Sequence, residues 1–127
     1  QVLIAEDDDV NALIATSFLE RAGMQVERVL DGREAVRHAL REVSRPDLIL
    51  MDCRMPTMDG FAATRQIRAQ EQTLGLPRVP VVALTATVAD LDRQQCLDAG
   101  MDDFLSKPFT SDELALVVDR WIGPRPH

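Results

Sequence analysis

Acidic side chains gather early in the chain, at Glu6, Asp7, Asp8 and Asp9, and a further carboxylate, Asp52, ends the apolar run "LILM". A carboxylate at the mouth of a buried strand costs free energy to desolvate unless a cation, a proton or a partner offsets that cost. Further on, "VVAL" runs into Thr85 and "FLS" into Lys107. Carboxylates, a hydroxyl and an ammonium are what phosphoryl transfer to a carboxylate needs. A metal such as Mg²⁺ takes oxygen ligands, among them one or two protein carboxylates, and Glu6, Asp7 and Asp52 can supply them. Asp52 then serves as nucleophile, as carboxylates do in aspartyl-phosphate chemistry. The metal, Lys107 and the Thr85 hydroxyl stabilise charge on the transferring group. Without the metal, crowded like charges raise the proton affinity of the cluster.

Each group also has a plainer use. Acids after a strand cap the next helix, where the positive end of the dipole favours them; Asp8 and Asp9 suit that role. An isolated Asp52 is a turn residue, an isolated Thr85 structural, an isolated Lys107 a solvated lysine. Position is what joins them. Short apolar segments alternate with longer amphipathic ones, as in a parallel sheet covered by helices on both faces. In such open sheets the ligand site lies at the carboxyl ends of the strands.

The first strand is "VLIA" (2–5), followed by a helix over 11–22 with Ile14 and Phe18 on one side and Gly23 at its end. "QVERV" (25–29) is a more polar strand, suited to an edge and with nothing comparable at its end, and Asp31 and Gly32 make a turn. Val36, Ala39, Leu40 and Val43 recur at helical spacing. "DLILM" (47–51) is a central strand, 58–69 a helix, "EQTLGLPR" (71–78) a loop and "VPVVAL" (79–84) the fourth strand. A helix over 89–99 closes on Gly100, and "DDFLS" (102–106) is the fifth strand. "TSDE" at 110–113 has the form of a capping box, and Leu114, Val117, Val118 and Trp121 stripe the last helix. No repeat or internal linker interrupts the 127 residues, which suit one domain.

A formal net charge of −7 makes nucleic acid a poor direct partner. No apolar run reaches the ~20 residues of a membrane span, and no basic region precedes "VLIA" as in a secretory signal. Cys53 and Cys96, without CxxC or flanking histidines, read as buried thiols of a reducing cytosol. The first residue, Gln1, and the closing "GPRPH" suggest a piece of something longer.

"LIAEDD", "LILMDCRMPTMDG", "VVALTA" and "FLSKPF", in that order and spacing over positions 2–122, resemble the receiver domain of two-component response regulators. The resemblance implies an α/β, flavodoxin-like, doubly wound sheet of five parallel strands in the order 2-1-3-4-5, with five helices in three layers. The domain would span 1–122, with 123–127 a tail or the start of a linker. It further implies that Asp52 accepts a phosphoryl group from a phosphohistidine on a histidine kinase or histidine phosphotransfer domain, with Mg²⁺ (or Mn²⁺) as cofactor. Glu6 and Asp7 match the metal-binding acid pair. The family often carries two aspartates there, so the longer Glu6 implies a contact through water. The backbone carbonyl of Arg54 matches the third protein ligand.

By the same resemblance Thr85 is the switch hydroxyl and Lys107 the cation that pairs with the phosphoryl group. The peptide bond from Lys107 to Pro108 is expected to be cis. Phe104 stands at an aromatic switch position, where tyrosine is frequent; without a phenol oxygen it would signal by packing. Arg54 and Thr87, two residues beyond Asp52 and Thr85, would flank the attacking water and tune phosphoryl lifetime. The face formed by the fourth helix, fifth strand and fifth helix is the implied response surface, the first helix a docking site for the histidine donor, and phosphorylation-dependent homodimerisation an implied output.

The wording of the 55–60 loop and of "CLDAGMDD" is most like receivers fused to hybrid sensor histidine kinases. The expected setting is cytoplasmic, within a parent that a membrane anchors. A free-standing regulator or one with a DNA-binding output is the alternative. Two rivals remain: a metal-dependent phosphohydrolase, and an interaction module that is never phosphorylated. The best-known hydrolases of that type carry an acid two residues after the nucleophile, where this chain has Arg54, which does not give up its proton near neutral pH.

Overall fold

The three most apolar runs become the three central strands, buried at every residue, while the two more polar runs lie at the edges. The computed structural model describes residues 1–41, 45–55, 58–85, 90–107 and 109–122, with backbone alone at 90–92. Strands β1 (Val2–Ala5), β2 (Val26–Val29), β3 (Leu48–Asp52), β4 (Val81–Thr85) and β5 (Asp103–Ser106) alternate with helices α1 (Asp9–Arg21), α2 (Gly32–Ala39), α3 (Gly60–Leu74), α4 (Asp90–Ala99) and α5 (Ser111–Ile122). All neighbouring strands pair in parallel, in the order β2-β1-β3-β4-β5.

Successive strand side chains point to opposite faces, and the core divides accordingly. Leu3, Ile49, Met51, Val81 and Ala83 meet Ala35 and Ala39 of α2, Ala63 and Ile67 of α3, and Cys96 and Ala99 of α4. On the other face Val2, Ile4, Leu48, Leu50, Val82 and Leu84 meet Ala15 and Leu19 of α1 and Leu114, Val117 and Val118 of α5. The result is the three-layer doubly wound architecture that the resemblance implied.

Local differences from the expected elements have physical causes. Helix α1 starts two residues earlier than expected, because Asp8 caps it by accepting from the amides of Val10 and Asn11. Its buried side is Ala12, Ala15 and Leu19, with Phe18 partly buried against them; Ile14 is on the outer face, 47% exposed. Small alanines let the helix approach the sheet closely, so the larger Ile14 is left outside. The expected turn at Asp31 and Gly32 is the start of α2, with Asp31 accepting from the Glu34 amide at 2.9 Å. Val43 of the α2 stripe lies outside the described residues.

The larger departure is α3, which runs to Leu74 through residues expected to form a loop. Its continuation is anchored by Glu71, whose buried Oε2 accepts from the Val79 amide at 2.8 Å and from Arg45 at 3.1 Å. Gly75, in the left-handed region at φ 66°, ends the helix and donates to the carbonyls of Gln72 and Glu71. Beyond it Val79 and Pro80 precede β4 rather than belonging to it. At α5 the capping box forms: the Thr110 amide donates to Glu113 at 3.0 Å, and the Glu113 amide to the Thr110 hydroxyl at 3.1 Å.

Candidate functional site

Register brings the acids together. Ala5 of β1 is level with Met51 of β3, and Asp52 is level with Leu84 of β4, so Glu6, Asp52 and Thr85 leave adjacent strands at neighbouring heights. The Lys107 amide donates to the Thr85 carbonyl at 2.8 Å, which carries the lysine to the same edge. Oxygens of Glu6, Asp7 and Asp52 lie within 4.8 Å of one another. Lys107 Nζ stands 2.7 Å from Glu6 Oε1 and 3.2 Å from Asp52 Oδ1. Glu6 is wholly buried, Asp52 and Thr85 nearly so, and Asp7 exposed. Five of the residues singled out from the sequence thus share one corner of the molecule.

The electrostatics of that corner are those of a crowded acid pair. Burial pushes the Glu6 carboxyl up to about 7, and a hydrogen bond with Asp52 adds to the rise against the opposing pull of Lys107. Burial alone would lower the Lys107 ammonium, yet its contacts with Glu6 and Asp52 hold it above the ordinary lysine value. Glu6 Oε2 is buried with no hydrogen-bond donor facing it among the described residues. A proton held between Glu6 and Asp52 meets that need in the chain alone. A hard divalent cation would meet it too, since three carboxylates at this separation form an oxygen donor set suited to Mg²⁺ or Mn²⁺.

Backbone hydrogen bonds hold the described residues that follow Asp52. The amides of Cys53 and Gly60 donate to the carbonyls of Leu84 and Cys53, both at 3.1 Å, and the Arg54 amide reaches Asp52 Oδ1 at 3.3 Å. A Cβ on Gly60 would lie 2.2 Å from the Asp52 carbonyl oxygen, so the start of α3 presses directly on the backbone of Asp52. Asp59 caps that helix by accepting from Ala62 at 2.9 Å. Gly32 completes the enclosure, its amide donating to the Met58 carbonyl at 3.0 Å.

The Arg54 side chain is exposed, its guanidinium 5.8 Å from the centre of the Phe61 ring. Phe104 is partly buried against the core, with the Arg93 guanidinium 4.6 Å from its ring centre. Thr87 and Pro108, with the expected cis peptide, lie outside the described residues. Cys53 and Cys96 are buried thiols outside any disulfide, as expected; burial, with Cys96 close by, pushes the Cys53 thiol up.

The sequence reading missed Arg28, on the strand expected to offer nothing. Its Nε donates to the Glu6 carbonyl at 3.0 Å and its Nη1 lies 3.0 Å from Asp9 Oδ1. The available signal was an arginine two residues after Val26, on the same face of the strand beside the acid-bearing one. It also missed a buried ion network at the amino ends of the strands, formed by Arg45, Arg68, Glu71 and Asp102.

Residues 2–119 match the family described as the response regulator receiver domain. The chain is 38% identical over 122 residues to hybrid signal transduction histidine kinase L of Dictyostelium discoideum, covering 95% of this chain and 7% of that protein. The chain thus spans a small part of that relative. The receiver domain of sensor histidine kinase PA1611 from Pseudomonas aeruginosa PAO1, solved with a magnesium ion coordinated in its active site cleft, is 49% identical, with a TM-score of 0.83 and 96% of each chain covered. The receiver domain of Ssk1 from Saccharomyces cerevisiae, solved with the histidine phosphotransfer protein Ypd1, is 32% identical, with a TM-score of 0.87 over 94% of this chain and 86% of that one. Among the described residues no helix is long and apolar enough to cross a membrane.

Proposed function

This chain belongs to the response regulator receiver domain family, whose members are signalling domains of two-component systems, and from that premise we propose that Asp52 is its phosphoacceptor in a phosphorelay. The observation that carries the reading is Lys107 Nζ set between Glu6 Oε1 and Asp52 Oδ1 at the carboxyl edge of the sheet, with Asp7 alongside. Asp52 attacks the phosphorus of a phosphohistidine on a partner histidine kinase or phosphotransfer domain. The Asp52 O–P bond forms, the P–N bond breaks, and the imidazole nitrogen keeps the electron pair. Lys107 pairs with the phosphoryl oxygens, and the Thr85 hydroxyl donates to them. Glu6, Asp7, Asp52 and the Arg54 carbonyl would hold Mg²⁺, which supplies charge neutralisation for the incoming phosphoryl group. Thr85 and Phe104 would then pass the change to the face formed by α4, β5 and α5.

The donor's docking place is proposed on α1. Val10, Leu13 and Ile14 are 67%, 66% and 47% exposed and share one helical stripe beginning beside the acids. The Ypd1–Ssk1 complex shows a receiver of this fold meeting a phosphotransfer protein. Likeness to a hybrid kinase favours a receiver spanning 1–122 within such a parent, working in the cytoplasm. A stand-alone regulator remains the second reading.

A small-molecule phosphodonor with Mg²⁺ tests the proposal. One hydroxylamine-labile phosphate per chain is expected. Continuous turnover of the donor would indicate a phosphohydrolase, and no label a silent module. Arg54→Ala is expected to change the lifetime of that phosphate severalfold while moving the melting temperature little, since its side chain is exposed. Equal lifetimes would remove Arg54 from the tuning role.

Metal binding should depend on pH through Glu6. Its carboxyl ordinarily titrates near 4.5 and here near 7, so the folded chain keeps a proton that the unfolded chain has already released. Stability of the metal-free protein therefore falls as pH rises from 4.5 to 7. A cation that displaces this proton binds more weakly below pH 7, by up to about tenfold per pH unit. Calorimetric Mg²⁺ titrations at pH 8 and pH 6 check this; equal affinities would contradict it.

A further inference from the structure

We infer that Arg28 is a positioning residue for the acidic site, fixing the main chain from which Glu6 and Asp7 project. This rests on the reading that the acids hold a divalent cation. Strands β1 and β2 pair from Val2 and Val26 to Ala5 and Val29, and the Glu6 amide still donates to the Val29 carbonyl at 3.1 Å. There the backbone ladder stops, because β2 ends at Val29 and Asp31 already caps α2. The Glu6 carbonyl is met by a side chain instead, Arg28 Nε at 3.0 Å.

Arg28 is level with Ile4, whose side chain belongs to the core beneath α1 and α5. The guanidinium therefore emerges on the side where residues 6–9 cross from strand to helix. Its Nη1 takes Asp9 Oδ1 at 3.0 Å, so one planar group ties both ends of the four-acid run. Asp9 is 90% exposed, which makes that ion pair the weaker tie. The bond to the Glu6 carbonyl carries the effect, and it needs the directed Nε–H that a lysine lacks.

Positioning and simple charge make opposite predictions. A cation that only adds positive charge near the acids would repel a divalent ion, and removing it would tighten binding. A residue that orients the ligands would weaken binding when lost, typically by tenfold or more for groups behind the ligands. The test titrates Mn²⁺ alone into the wild-type chain and into R28A, R28K and D9N, following free Mn²⁺ by electron paramagnetic resonance. Exchange of the Glu6 and Asp7 amides is followed by NMR without metal.

R28A and R28K are expected to bind about tenfold more weakly and to exchange those amides faster, with D9N close to wild type. Unchanged or tighter binding in R28A, or full rescue by R28K, overturns the inference. Should R28A fail to fold, R28K decides alone. Wild-type binding with unaffected variants defeats only this inference, whereas absence of binding by the wild type defeats the metal reading and this one with it.

Discussion

Arg68→Ala is expected to destabilise the fold by about 3–5 kcal/mol, the cost of breaking a buried ion network by removing one partner. Arg68, 12% exposed, bonds Glu71 Oε1 at 2.9 Å, Asp102 Oδ2 at 2.7 Å, and the carbonyls of Val79 and Gly100 at 2.7 and 2.9 Å. Glu71 and Asp102 also accept from the amides of Val79 and Val81, so the strand lead-in, the α3 terminus and the turn before β5 share one set of contacts. Truncating the arginine leaves two largely buried carboxylates without their central cation. Arg78 is the control: it reaches the same Asp102 at 2.7 Å but is 57% exposed, and its loss should cost about 1 kcal/mol or less. Thermal and urea unfolding of both variants decides. If Arg68→Ala is no worse than Arg78→Ala, the network is not what holds this end together.

Asp52→Asn is expected to abolish the hydroxylamine-labile phosphate, from about one per chain to none, because a carboxamide oxygen is too weak a nucleophile. The same change removes a negative charge that raises Glu6. The Glu6 carboxyl should then titrate lower, and the metal-free variant should lose less stability than wild type between pH 4.5 and 7. Asp8→Asn is the companion control. Asp8 faces the amides of Val10 and Asn11 and lies outside the acid cluster, so that variant should label fully. Full labelling of Asp52→Asn would move the acceptor to another carboxylate.

The layered sheet was legible because β1, β3 and β4 are continuous apolar runs, and a run buried on both sides carries its fold in composition alone. The acid cluster was legible for a related reason: each group sits immediately after one of those runs, so the strand ends located it. What escaped had no such marker. The last turns of α3 hold polar residues, and Glu71 looks like any solvated glutamate until Arg45, Arg68 and the Val79 amide are brought round it. Ile14 reads as core because it is large and apolar, whereas helix packing preferred the smaller Ala15. Arg28 acts through a carbonyl, and a backbone atom leaves no trace in residue type. Charge at the end of a strand can be read; charge that reaches sideways from a neighbouring strand cannot.

The contact between Gly60 and the Asp52 carbonyl limits how this chain can be altered. Any side chain there must drive α3 away from β3, and the displacement is delivered straight to Asp52. Arg54, two positions past Asp52, has an exposed side chain, where substitutions cost the fold little. Whoever redesigns the reactivity of this corner has freedom on the rim and almost none at the hinge of the loop.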